Sequence, residues 1–121
     1  MIRTFLLYNG AIAFFAVGAV AGPICREASN YLNEELPAIQ AAINEPPPQQ
    51  FSSLSFPSEE QAKLLWSFVE TYQQTTKNYL IRLKNVIPDD DDDYCRVLLD
   101  PLRYNFDSLK ELISKFKTRI K

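Results

Sequence analysis

The longest regular pattern of apolar positions lies in the middle of the chain. Apolar or aromatic side chains recur there at alternating steps of three and four residues, which is the spacing of one helix face. These positions are Ala62, Leu65, Val69, Tyr72, Thr76, Tyr79, Leu83 and Val86. Ser58 and Gln61 match the capping box that begins a helix, and Pro88 ends the pattern. The sequence therefore predicts a helix over residues 59–87.

Shorter patterns predict one helix on each side of the long one. The first is expected over residues 25–45, and Pro37 inside it predicts a kink or a two-piece helix because proline lacks a backbone donor. Its apolar face consists of Ala28, Leu32, Leu36, Ile39 and Ile43. The third is expected over residues 94–120, with Asp100 as the N-cap of its main part and Pro101 as the first helical residue. Its apolar positions are Leu102, Phe106, Leu109, Ile113, Phe116 and Ile120.

Two linkers separate these predicted helices. Residues 46–57 begin with three consecutive prolines, which favour an extended conformation, and residues 88–93 contain five consecutive aspartates. Short connections between amphipathic helices favour antiparallel neighbours. The sequence therefore predicts an all-α fold in which residues 22–121 form a single domain, a small up-down-up three-helix bundle.

The start of the chain has the layout of a secretory signal peptide, predicted over residues 1–21. Arg3 precedes an uncharged apolar stretch, residues 11–21, that ends in small residues suited to signal peptidase. Cleavage would release a secreted, extracellular domain that begins at Gly22. One alternative is a retained membrane anchor, which needs roughly 20 apolar residues and is interrupted here by Asn9 and Gly10. The other alternative is a cytosolic chain.

Two cysteines, Cys25 and Cys95, lie in the predicted mature part. In an oxidising compartment an even pair favours one disulfide. An intrachain bond would join the start of the first helix to the entrance of the third, in agreement with an up-down-up order. An interchain bond and two free thiols are the alternatives.

Composition argues against an enzyme. The chain has no histidine and only three glycines, which removes histidine nucleophile pairs, histidine metal ligands and glycine-rich phosphate loops. With 13 basic and 15 acidic residues, the formal net charge of −2 does not favour a nucleic-acid partner. We therefore expect no catalytic activity and no cofactor.

The aspartate run invites a calcium interpretation. Asp89, Asp91, Asp93 and Asp100 fit loop positions one, three, five and twelve of an EF-hand. Tyr94 stands where that loop needs a glycine, and adjacent carboxylates usually repel one another and stay solvated. We expect no specific metal site, and loose cation association is left open.

Two surfaces are candidates for contact with another molecule. Aromatic side chains of the long helix and the proline-rich linker form the candidate partner or ligand surface: Trp66, Phe68, Phe51 and Phe56. Basic side chains of the third helix form the candidate membrane or anion contact: Lys110, Lys115, Lys117 and Arg119. The function predicted first is binding of an extracellular partner protein, as a monomer or homodimer. The alternatives are a carrier of an apolar small molecule or lipid, and a protein active at a membrane surface.

The placement of the cysteines, in Ile24-Cys25 just after the predicted leader and at Cys95, resembles that of the secretoglobins. The resemblance implies a small secreted helical protein that dimerises through such cysteines around an apolar cavity. The triple proline and the predicted helix after Cys95 depart from the family's pattern. The resemblance therefore covers the two cysteine positions alone.

Overall fold

The computed structural model describes residues 22–119, which contain three α-helices packed against one another. In chain order, α1 spans Pro23–Ile43, α2 spans Glu59–Val86 and α3 spans Asp92–Lys117. The predicted all-α class and helical bundle are therefore confirmed.

The two connections contain short 3-10 turns, at Phe51–Ser53 and at Ile87–Asp89. The predicted signal peptide, residues 1–21, lies outside the described residues, as do residues 120 and 121.

The third helix packs against both of the others and supplies more buried side chains than either of them. Its buried side chains are Cys95, Leu98, Leu99, Leu102, Phe106, Leu109, Ile113 and Phe116. From α1, Leu32 and Ile39 are completely buried against this cluster. Each such aliphatic side chain stabilises the fold by roughly 1.5–3 kcal/mol relative to an exposed one.

The buried face of α2 is rotated relative to the predicted seam. Leu65, Tyr72 and Tyr79 are only half-buried, whereas Trp66 and Leu80 belong to the core. The buried positions are Ala62, Trp66, Val69, Thr76, Leu80, Leu83 and Val86. The spacing predicted the helix correctly, but the choice among neighbouring apolar residues was partly wrong.

Gln73 explains why this face was hard to identify. It lies four residues after Val69 and three before Thr76, so it continues the buried face as a polar residue. Its Nε2 donates to the carbonyl oxygens of Ala42 at 3.0 Å and Glu45 at 2.9 Å. Gln73 therefore occupies a position where an apolar side chain is usual, and its side chain donates hydrogen bonds to carbonyl groups at the end of α1.

Neither proline inside a helix interrupts it. A helical proline frees the carbonyl four residues earlier, and here those carbonyls belong to the exposed residues Asn33 and Val97, where water can satisfy them. Of the two alternatives predicted at Pro37, the two-piece helix is wrong, because α1 continues through this residue. The prediction that Asp100 caps a helix was wrong, since Asp100 and Pro101 both lie inside α3.

The beginnings of α2 and α3 carry side-chain caps. Ser58 accepts a hydrogen bond from the Gln61 amide at 3.1 Å, as its capping-box position predicted. Asp91 accepts one from the Tyr94 amide at 3.1 Å, and α3 begins at Asp92, two residues earlier than predicted. The acidic linker is correspondingly shorter, because its last two aspartates are helical.

Contacts between helix ends define two ends of the bundle. A disulfide joins the first turns of α1 and α3, and we call this the cysteine end. At the other end, Lys117 near the end of α3 pairs with Glu45 just after α1 at 3.6 Å. There too, the ring of Trp66 near the start of α2 contacts that of Phe116. We call this second region the linker end.

Candidate interaction site

The proline-rich linker covers apolar side chains at the linker end. Leu54 is buried, and Phe51 and Phe56 are half-buried against the core. The ring of Phe56 lies 5.1 Å from that of Phe116, and Trp66 packs edge-on against Phe116 at 5.0 Å between ring centroids. Aromatic pairs in such tilted and T-shaped arrangements are favourable, so the linker is attached by ring contacts.

Arg119 fastens the same linker to the end of α3. Its carbonyl oxygen accepts a hydrogen bond from the Ser55 amide at 2.7 Å, and its guanidinium donates to the Ser55 carbonyl at 3.2 Å. The guanidinium also lies 4.9 Å from the centre of the Phe56 ring, within cation–π range. These contacts fix the position of Phe56.

A small apolar groove lies between the linker and the core. We call it the linker groove; it encloses about 240 Å³. Its lining consists of Glu45, Pro46, Pro47, Pro48, Leu54, Trp66, Ile113, Phe116 and Lys117. Pockets that bury a whole drug-sized ligand hold roughly 300–1,000 Å³, so this groove is small for an apolar cargo molecule.

Four apolar side chains form an exposed patch beside the linker. We name Phe56, Leu64, Leu65 and Phe68 the Phe68 patch; together with Gln61 they surround a shallow hollow of about 300 Å³. Leu64 is 61% exposed and Phe68 is 50% exposed. Because these two lie four residues apart on α2, their side chains are neighbours on one helix face.

Ile81 provides a contrast on the same helix. It is 46% exposed, but its helical neighbours three and four residues away are all polar: Lys77, Asn78, Lys84 and Asn85. An isolated exposed apolar residue is ordinary in a folded protein, whereas a cluster points to an interaction. The Phe68 patch is a cluster of that kind.

The aromatic residues of the predicted contact surface differ in their exposure in the structure. Phe68 is exposed and Phe56 borders the same hollow, whereas Trp66 is only 5% exposed and belongs to the core. Trp66 therefore lies apart from the Phe68 patch, packed against α3, where it lines the linker groove. Its indole Nε1 is buried without a hydrogen-bond partner among the described residues. Leu64 was not among the predicted surface residues, although its spacing of four residues from Phe68 was a usable signal.

All four residues of the predicted basic surface are exposed, and three of them contact other groups of the chain. Lys110 lies 4.4 Å from the Phe106 ring centre and 3.5 Å from Asp107. Lys117 pairs with Glu45, and Arg119 holds the linker, as described above. Lys115 is exposed. Of the helices in residues 22–119, none is both long and apolar enough to span a bilayer.

The aspartates at the cysteine end act as caps. Asp92 Oδ1 accepts hydrogen bonds from the amides of Ile24 at 3.1 Å and Cys25 at 2.9 Å. These donors belong to the first turn of α1, where backbone amides lack helical partners and the helix dipole favours a carboxylate. Asp90 Oδ1 accepts from the Gly22 nitrogen at 2.7 Å.

The EF-hand interpretation does not fit this geometry. Asp91 caps α3 and Asp100 lies inside it, so the four predicted positions do not form one loop. Asp90, Asp92 and the Cys25 sulfur do lie within 4.8 Å of one another. That sulfur is bonded to Cys95, however, and a disulfide sulfur is not the thiolate that binds metals.

The disulfide between Cys25 and Cys95 is intrachain. The two Cα atoms are 5.3 Å apart, within the usual range for such a bond. The bond closes a loop with a sequence separation of 70 residues. The prediction of an intrachain bridge is confirmed.

A polar hollow lies between α1 and α3. The guanidinium of Arg103 lies 5.0 Å from the centre of the Tyr31 ring and pairs with Glu27 at 2.7 Å. Partial burial, reinforced by the charges of Asp107 and Glu35, raises the pKa of Tyr31 to about 12. The contacts of Arg103 with Tyr31 and Glu27 join α3 to α1 in this region.

Comparison of the chain with models of protein families, with curated proteins and with solved structures found no match.

Proposed function

We propose that this protein is secreted and binds an extracellular partner protein through the Phe68 patch. In this proposal the leader is removed, and the remaining chain is an up-down-up bundle that is covalently closed at the cysteine end. The Phe68 patch, beside the linker end, is the contact surface.

One observation carries the proposal: Leu64 and Phe68 are exposed one helical turn apart, beside Phe56 and Leu65. Each square ångström of apolar surface removed from water contributes about 25 cal/mol. Aromatic side chains grouped around a pocket are frequent anchors of protein interfaces. The contacts of Arg119 hold Phe56 in place, which reduces the entropy lost when a partner binds.

The patch is bordered by charges of both signs, with Arg119 against Phe56 on one side and Glu60 on the other, and this mixture suits a protein partner better than an anionic lipid surface. Glu60 is exposed one turn before Leu64, and the nearby Lys63 is paired with Glu59 at 3.0 Å. A carboxylate beside the patch repels anionic headgroups, whereas a basic residue on a partner protein would complement it. The small volume of the linker groove also argues against carriage of a lipid.

Site-specific photo-crosslinking would test the proposal. A photoreactive phenylalanine analogue replaces Phe68 in the secreted protein, which is then irradiated in the extracellular fluid of the tissue that produces it. We expect one crosslinked species, suppressed by excess wild-type protein but not by excess Leu64→Glu protein. The matched control carries the analogue at Ile81 and should form no such species.

The other outcomes contradict the proposal in different ways. A crosslinked species of twice the chain's mass would identify a second copy of this chain as the occupant. Flotation of the wild-type protein, but not of Leu64→Glu, with phosphatidylserine vesicles would identify a membrane. Equal crosslinking from positions 68 and 81 would show that the patch has no special role.

A further inference from the structure

The first described residue, Gly22, is held by the entrance of α3. Its nitrogen donates to Asp90 Oδ1 at 2.7 Å. The next two available amides, those of Ile24 and Cys25, both donate to Asp92 Oδ1. Gly22 is the N-cap of α1 and provides no side-chain cap of its own. Two carboxylates from a distant part of the sequence therefore accept the hydrogen bonds of the amides at the beginning of α1, which has no side-chain cap of its own.

Glycine at this position leaves room for the Asp92 carboxylate. A Cβ atom added to Gly22 would collide with the carboxylate of Asp92. That carboxylate is held by the two amide hydrogen bonds from α1, so it cannot move without losing them. The absence of a side chain at Gly22 leaves room for the Asp92 carboxylate, while the Gly22 nitrogen contacts Asp90.

Asp90 is fixed in the geometry that receives this nitrogen. Its φ angle of 56° is the one positive φ among the described residues other than glycine. The left-handed conformation is tolerated by aspartate better than by most residues. Its amide donates to the Ile87 carbonyl at 3.0 Å, which closes the turn before α3. The Asp90 side chain is thereby directed towards α1.

We propose that leader removal after Ala21 converts this hydrogen bond into an ion pair between the Gly22 α-ammonium and the Asp90 carboxylate. The inference rests on the secretion that we propose above. Signal peptidase adds water across the Ala21–Gly22 peptide bond: Ala21 takes the oxygen and becomes a carboxylate, and the Gly22 nitrogen becomes an ammonium. The mature N-terminus is then bound by the entrance of α3.

Electrostatics explains why both aspartates are needed there. An ammonium at the N-terminus of α1 would by itself be repelled by the positive end of the helix dipole. Arg26, one turn further along α1, adds another positive charge. The carboxylates of Asp90 and Asp92 offset both effects. Hydrogen bonds between two ionised groups are also stronger than those between neutral groups.

The secreted mature protein provides the test, and its N-terminus is first determined by mass spectrometry. Transamination with pyridoxal phosphate then converts the N-terminal amine of Gly22 into a carbonyl group and leaves the lysines unchanged. We expect the folding equilibrium constant of the wild-type protein to fall about two- to fivefold, lowering its melting temperature by roughly 2–6 °C. Asp90→Asn should lose this sensitivity, whereas the exposed control Asp93→Asn should retain it.

A titration separates the ion pair from a structural role of Asp90. The pKa of the Gly22 α-amino group, followed by NMR, should lie above its ordinary value in wild type and return towards it in Asp90→Asn. A raised pKa stabilises the folded state below the ordinary value, and this stabilisation is lost as the pH rises through the raised value.

The outcomes distinguish the two proposals. A mature chain that begins elsewhere than Gly22 overturns the ion pair, although secretion itself is then demonstrated. A chain that begins at Gly22 but responds equally to transamination in all three variants, or in none, overturns the ion pair alone. A chain that retains its leader contradicts secretion as well.

Discussion

The two ends of the bundle are held together by different interactions. At the cysteine end, a disulfide and hydrogen bonds to aspartates join the beginnings of α1 and α3. At the linker end, contacts of the Phe56 ring and the hydrogen bonds of Arg119 hold the irregular linker over the core. Asp92, at the cysteine end, accepts hydrogen bonds from two amides of α1, so its carboxylate stabilises the beginning of that helix. At the other end, Trp66 Nε1 is buried without a partner, and Leu64 and Phe68 are exposed beside the linker. The covalent bond and the aspartate caps therefore lie at one end of the bundle, and the Phe68 patch lies beside the other.

The largest expected effect comes from breaking the cysteine end. Replacing Cys25 and Cys95 together by serine should destabilise the fold by about 4 kcal/mol, because the bond closes a long loop in the unfolded chain. Chemical denaturation of both proteins under non-reducing conditions measures the difference. A change below about 1 kcal/mol would mean that the unfolded chain gains little freedom without the bond, or that the reduced bundle compensates elsewhere.

A smaller loss should follow from removing the aspartate that caps α1. Asp92→Ala leaves the amides of Ile24 and Cys25 without their acceptor and should cost about 1–2 kcal/mol. Asp93→Ala is the matched control, because Asp93 is an exposed neighbour in the same helical turn, and it should change stability by less than about 0.5 kcal/mol. Thermal unfolding of the three proteins checks this. Equal losses in both variants would indicate a general effect of negative charge at the start of α3.

A substitution in the middle of α2, away from both ends of the bundle, should raise the free energy of unfolding. Thr76 is completely buried, and its hydroxyl has no hydrogen-bond partner among the described residues. Thr76→Val keeps the shape and removes the unsatisfied group, so we expect stabilisation of about 1 kcal/mol. Thr71→Val, at an exposed position whose hydroxyl already donates to the Ser67 carbonyl at 3.0 Å, should bring no such gain. A destabilised Thr76→Val protein would show that the hydroxyl has a partner in solution, such as water.

Apolar spacing was sufficient to predict three helices and their order, because helix periodicity is a local property of the sequence. It was not sufficient to choose the buried face of α2. Leu64, Leu65, Trp66 and Phe68 are all apolar, and the positions of α3 and of the linker determine that Trp66 is buried. Gln73 made the buried face of α2 harder to predict, because it is a polar residue on that face. Its side chain binds the end of α1, which lies about 30 residues away in the sequence.

The aspartate run shows the same limit at the candidate sites. Locally, it resembled a solvated linker or part of a calcium loop. Its actual partners, Gly22, Ile24 and Cys25, are 67 or 68 residues away in sequence, so no local pattern could identify them. The disulfide was predictable because two cysteines in an oxidising compartment have few alternatives. An aspartate can accept hydrogen bonds from many different donors, and only the folded structure determines which of them lie close enough.

The smallest expected effect is also the one that tests the contact surface most directly. Leu64→Ser and Phe68→Ser should each change the free energy of unfolding by less than about 0.5 kcal/mol, since both side chains are at least half exposed. Leu109→Ser, at a completely buried position, is the opposite control and should be severely destabilising. Denaturant unfolding provides the measurement. A loss above about 2 kcal/mol at Leu64 or Phe68 would mean that these side chains contribute to the core in solution and are not free for a partner.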